Sequence, residues 1–63
     1  MKYVKLGQLA SGTEFEYMGV TYTKDSWNRD DEVRCTPQYG GRWQDEMREW
    51  IRKDAVVGIK PTK

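Results

Sequence analysis

Phe15-Glu16-Tyr17-Met18-Gly19-Val20-Thr21-Tyr22 alternates apolar and polar residues on either side of Met18-Gly19, which is the pattern of a β-hairpin with a two-residue turn. That pairing puts Tyr17 opposite Val20 and Phe15 opposite Tyr22, so four large apolar groups share one face of the ribbon. Glu14, Glu16, Thr21 and Thr23 share the other. A slip of one residue would bury the carboxylates and expose the rings, so the hydrophobic pattern itself specifies the register.

Outward from the hairpin, Tyr3 to Leu6 reads as a short strand and Gly7 to Gly12 as a compact turn anchored by Leu9. Lys24 to Asp31 is polar and rich in Asp, Ser and Asn, side chains that bond nearby backbone and favour turns, so a loop is expected there with Trp27 alone inside it. Glu32 to Thr36 alternates again, with Val33 and Cys35 on one side and Arg34 on the other; this third strand is expected to end at Pro37. After the Gln38–Gly41 loop the period changes. Trp43, Met47, Trp50, Ile51 and Ala55 recur at helical spacing, with Asp45 and Glu46 near the start of the segment and Arg52 and Lys53 near its end, as the helix dipole favours. No Ser, Thr, Asp or Asn caps its start. A helix this short needs support, and its tryptophan face is expected to dock on the hairpin. Val56, Val57 and Ile59 form a last strand, and Lys60 to Lys63 a frayed tail. The expected fold is α+β: a small antiparallel sheet of three or four strands with one amphipathic helix packed on it, in a single domain. An all-β small barrel of the SH3-like kind is the alternative.

Composition bounds the function. A 63-residue chain buries only about 60% of its unfolded surface, so the core is small, and three Trp, four Tyr and one Phe supply much of its bulk. Net charge is +1 with the signs well mixed, which fits neither the basic stripe of a typical nucleic-acid binder nor an acidic DNA mimic. A single cysteine rules out an internal disulfide and points to a reducing cytoplasm. No stretch reads as a signal peptide or a bilayer span, so no membrane partner is expected.

The chain has no histidine, which excludes Ser-His, Cys-His and His-based zinc sites, and one cysteine cannot build a thiolate zinc site. No phosphate loop is present. Asp30-Asp31-Glu32 and Asp45-Glu46 offer paired carboxylates, but so small a chain has little room for a water-excluding pocket; catalysis and cofactors are not expected. Asp25, Asn28, Asp30, Asp31 and Glu32 depart from a calcium loop because Trp27 interrupts them and no central glycine follows. Cys35 reads as a small buried hydrophobe, since alternation turns Arg34 away from it. Trp43 and Trp50 read as core. Trp27 either folds back over the core or stands out as an anchor. Trp, Tyr and Arg dominate binding energy at interfaces, so Trp27, Arg29, Tyr39 and Arg42 are the candidate partner-binding residues. They fall in two loops at opposite ends of the third strand. Tyr3, Lys5, Tyr22, Arg34 and Arg42 are the corresponding candidates for stacking and phosphate contact with single-stranded nucleic acid.

The run Leu6-Gly7-Gln8-Leu9-Ala10-Ser11-Gly12-Thr13-Glu14-Phe15-Glu16-Tyr17-Met18-Gly19-Val20-Thr21-Tyr22 resembles the start of small accessory proteins of tailed bacteriophages, Leu-x-x-Leu-x-x-Gly-x-x-Phe-x-Tyr-x-Gly-x-x-Tyr. Val33-Arg34-Cys35 and Val56-Val57-Gly58-Ile59 are similar to their later strands. The chain departs from them in Trp43–Lys53, where those proteins run shorter and plainly β. The resemblance covers about half the chain and carries no functional residues over. It implies expression in the host cytoplasm and an accessory role. The function expected is a non-catalytic interaction protein that binds and modulates a host or phage macromolecule, with a host or phage protein the expected partner; the alternative is a small β-rich nucleic-acid-binding protein. Oligomeric state stays open.

Overall fold

The computed structural model describes residues 1–60, which form seven antiparallel strands and two short 3₁₀ turns, with no α-helix among the described residues. Of the expected frayed tail, residues 61–63 lie outside the described residues. The strands are β1 (Lys2–Lys5), β2 (Glu14–Tyr17), β3 (Val20–Arg29), β4 (Glu32–Tyr39), β5 (Arg42–Trp43), β6 (Glu49–Arg52) and β7 (Val56–Ile59). Their order is β1-β7-β2-β3-β4-β5, with β6 paired to β4 beside β5.

The β2–β3 hairpin has the expected register, with Phe15 opposite Tyr22 and Tyr17 opposite Val20. Met18 and Gly19 turn it at φ 54° and 78°, the two left-handed positions of a type I′ turn. The Phe15 and Tyr22 rings stack at 5.5 Å between centroids. They belong to a core completed by Leu6, Val33, Cys35, Ile51 and Val57, with no tryptophan in it.

The α+β expectation is overturned. Trp43 lies in β5, Asp45–Met47 form a single 3₁₀ turn, and Glu49–Arg52 are the strand β6, so the residues spaced for a helix never share a helical face. Gln44 precedes the turn without a side-chain cap, leaving the helix start unsupported, while β4 offers an unpaired edge along Glu32–Cys35. Pairing that edge satisfies backbone groups that a helix would have left unpaired. In β6 the alternation then sends Ile51 into the core opposite Val33, and Trp50 outward opposite Arg34. The class is all-β. Its strand path is open: among the described residues β1 pairs only β7, and β5 and β6 pair only β4.

Two further expectations are corrected. Lys24–Asp31 is no loop, because β3 continues to Arg29 and turns back through Asp30-Asp31, Asp30 taking φ 45°, a left-handed conformation that Asp tolerates. Pro37 does not end the third strand, which runs to Tyr39. The Pro37 carbonyl accepts the Gln44 N–H at 2.9 Å, on the side where β4 changes partner from β6 to β5. A residue's N–H and C=O face the same side of a strand, so the donor that proline lacks falls in that gap and costs no ladder bond.

Candidate functional site

On β4, Val33, Cys35 and Pro37 point inward, so Glu32, Arg34, Thr36 and Gln38 mark the sheet's outer face. Their cross-strand partners Arg29, Trp50, Thr23 and Trp43 lie on that face as well. Between Lys24 and Asn28 the register shifts, so that Asp25, Ser26 and Trp27 together oppose Arg34. Such a bulge re-aims side chains. Here it swings Trp27 to within 5.2 Å of the Arg34 guanidinium, measured to the ring centroid.

All three tryptophans therefore share the outer face. Arg34 lies between the Trp27 and Trp50 rings, 5.8 Å from the latter, and Arg29 sits 4.3 Å over Trp50. Indole and guanidinium thus alternate across β3, β4 and β6, each cation held by a ring quadrupole. Toward β5 a polar relay takes over: Arg48 donates to the Thr36 hydroxyl at 3.3 Å, and Thr36 donates to the Asp25 carboxylate at 3.0 Å. Arg48 also lies 3.6 Å from Asp25 and 3.7 Å from Asp45. Two shallow cavities meet at Asp25 and Arg48, one reaching Trp27 and Arg34, the other Trp43 and Asp45. The result is one continuous stripe running from Trp43 through Arg48, Trp27, Arg34 and Trp50 to Arg29.

Charge on the stripe is balanced. Arg29 is paired with Glu32 at 2.8 Å and Arg48 with Asp25, whereas Arg34 has no carboxylate partner among the described residues. The rings differ in exposure: Trp27 is 63% exposed, Trp43 38%, and Trp50 half-buried beneath Arg29 and Arg34.

Of the four sequence-derived candidates, the structure brings Trp27 and Arg29 onto the stripe. Trp27 stands out from the core and does not fold back over it. Tyr39 and Arg42 pair across the β4–β5 hairpin tip, at the far end of β4 and on the register of the inner face. At roughly 3.3 Å per residue they lie about 23 Å along the strand from Arg29, so the two pairs form no single surface. Sequence reading did not place Trp43, Trp50 and Arg48 on this face, and named Arg34 only as a candidate for nucleic-acid contact. The signal available was the Gly40-Gly41 pair, a two-residue hairpin turn at φ 59° and 78° that returns the chain as a strand from Arg42.

Cys35 and Lys24 are titratable groups on the inner side of the sheet, beside Tyr22. Cys35 is fully buried, its thiol donating to the Val33 carbonyl, and burial pushes its pKa up to about 12, with Asp25 adding to the rise against the opposing pull of Lys24. A thiol held protonated is inert as a nucleophile. Lys24, its cross-strand neighbour, donates to the Leu6 and Leu9 carbonyls, and burial lowers its pKa. It ties the loop after β1 to the sheet. Among the described residues no cluster of Cys, Asp and Glu is arranged to hold a metal ion.

No protein-family description, curated protein or solved structure matches this chain.

Proposed function

We propose that the protein is a non-catalytic interaction protein that binds a host or phage protein through the Trp43–Trp27–Trp50 stripe, the accessory role its phage-like start implies. The observation that carries this reading is that every tryptophan of the chain lies on one outer sheet face, interleaved with Arg29, Arg34 and Arg48, while the core uses none. A small domain that places its largest apolar groups outside leaves unburied the area that would stabilise it most, and an exposed patch of this kind marks an interaction site. Trp and Arg are also the residues that carry most binding energy at interfaces. Balanced charge on the stripe favours a protein over a polyanion.

The test is affinity capture from host lysate with the wild type, Trp27→Ala, Arg34→Ala and Tyr39→Ala in parallel. The same protein should be retained by the wild type and by Tyr39→Ala and lost from the other two. Equal retention by all four would show that the stripe is not the interface.

Nucleic acid is the second reading, favoured by the open face of Trp27 beside the carboxylate-free Arg34, an arrangement on which an unpaired base can stack. Quenching of tryptophan fluorescence by a thymidine oligonucleotide, weakening steeply with salt, would support it; no quenching at low salt removes it.

A further inference from the structure

Arg34 is the cation that the stripe leaves unspent. Arg29 and Arg48 place their donors on Glu32, Asp25, Asp45 and the Thr36 hydroxyl, whereas the Arg34 side chain makes no hydrogen bond or ion pair among the described residues. It is held all the same, because the Trp27 and Trp50 ring centroids lie 5.2 and 5.8 Å from its guanidinium carbon. Contact with two rings attracts the charge and leaves the fork of N–H donors without acceptors. An arginine restrained in this way has less side-chain freedom to lose when a ligand arrives.

The cavity beside Arg34 limits what that ligand can be. Asp25, Ser26, Trp27 and Arg48 line it together with Arg34, and the Ser26 hydroxyl is a second group there with no partner in the chain. Asp25 and Asp45 flank Arg34 toward Arg48, and Glu32 flanks it two residues along β4, toward Arg29. A run of phosphates following the stripe would therefore meet a carboxylate on each side of the one uncompensated cation. A single carboxylate lies flat against the guanidinium fork through two parallel N–H···O bonds and needs no further positive charge. The stripe continues past the cavity in both directions, to Trp43 one way and to Trp50 and Arg29 the other, so a bound chain passes through this point and the carboxylate belongs to a side chain, not to a chain end.

We infer, resting on the reading of the stripe as a protein interface, that the partner inserts an aspartate or glutamate side chain into the Ser26–Trp27–Arg34 cavity. Its carboxylate pairs with Arg34, and the apolar residue next to it lies on the exposed Trp27 ring. Arg34 supplies the selection for charge and Trp27 the apolar contact.

The probe is the blocked peptide Gly-Leu-Glu-Leu-Gly, titrated at low salt into isotope-labelled full-length protein, with versions carrying glutamine or phosphoserine in place of the glutamate. The glutamate peptide should shift the Arg34 Nε–H and Trp27 indole N–H signals, while those of Arg29 and Arg48, already paired, move less. The glutamine peptide should bind roughly tenfold more weakly, as expected when a charged hydrogen-bonded pair is lost. Phosphoserine should gain nothing over glutamate despite its greater charge. Arg34→Gln should abolish the preference for glutamate, and Arg34→Glu should transfer it to a Gly-Leu-Lys-Leu-Gly peptide. No shift at Arg34, equal affinity for the glutamate and glutamine peptides, tighter binding at Arg34 of the phosphoserine peptide or of a thymidine oligonucleotide, or an unchanged preference in either variant would each overturn the inference. Lysate capture separates it from the reading it rests on: a partner lost from Trp27→Ala but retained by Arg34→Gln leaves the stripe as the interface and removes the carboxylate, whereas a partner retained by both removes the stripe.

Discussion

Met18→Asn should make the protein more stable although it removes a large apolar side chain. Met18 takes φ 54° ahead of Gly19 at φ 78°, and in that left-handed region the Cβ of an L-residue crowds the following carbonyl, at a cost of about 1–2 kcal/mol. Asn visits the region far more readily because its short amide bonds locally, and Asn-Gly is the preferred pair for a type I′ turn. Little burial is lost, since Met18 is 83% exposed. The net gain expected is about 0.5–1 kcal/mol, which in a domain of this size raises Tm by roughly 2–8 °C. Scanning calorimetry and urea unfolding measure it, with the midpoint shifting and the m-value unchanged. A lower or unchanged Tm would refute the reasoning, because it would show that the Met18 side chain contributes more to the fold than its backbone conformation costs.

Lys24→Met should cost about 1–3 kcal/mol at pH 7, because the Leu6 and Leu9 carbonyls lose their buried donor; amide exchange in the Leu6–Gly12 loop should quicken selectively, and unchanged protection there would show that Lys24 does not hold the loop. The Cys35 thiol holds its proton to about pH 12 in the folded state, whereas an unfolded thiol releases it near ~8.5. Its contribution is therefore complete below that lower value and is lost as pH rises, by up to about 1.4 kcal/mol per pH unit. Tyr22, raised by burial and by the Glu49 carboxylate, acts in the same direction at higher pH, and Lys24, lowered by burial, acts in the opposite one. Cys35→Ala keeps those two groups, so its urea midpoint between pH 9 and 11 should fall less steeply than that of the wild type; equal slopes would refute the assignment.

The hairpin was legible because pattern and turn chemistry agree there: alternation names the buried face, and glycine after Met18 fits the turn. Val33, Cys35 and the last strand were legible on the same grounds. The region from Trp43 to Arg52 was not, because Trp43, Met47, Trp50 and Ile51 fall at helical spacing by the accident of two short strands separated by a 3₁₀ turn. Over so few residues a period of 3.6 and two interrupted periods of 2 give the same positions. What decided between them is non-local: the free edge of β4 at Glu32–Cys35 lies more than ten residues upstream. The polar run Lys24–Asp31 misled for a related reason. It forms a strand whose outer face points to solvent, and a two-residue Asp30-Asp31 turn reads as one more pair of loop residues.

The outward placement of the tryptophans has the same geometric origin. With Phe15, Tyr22, Leu6 and Ile51 already filling the space beneath the sheet, two more indoles would have to displace residues that are almost wholly buried. Outside, an indole on a strand is covered by its cross-strand neighbours, and for two of the three this is Arg34, opposite Trp50 and again beneath the bulge that carries Trp27, while Trp43 faces Gln38. A guanidinium lying near a ring shelters part of it while keeping its own charge hydrated at the rim. A leucine or valine in the same position would have closed the patch into a second core. The alternation of indole and guanidinium thus keeps a large apolar area accessible on a chain whose interior is complete without it, and this is the physical argument behind the proposal that the stripe serves recognition.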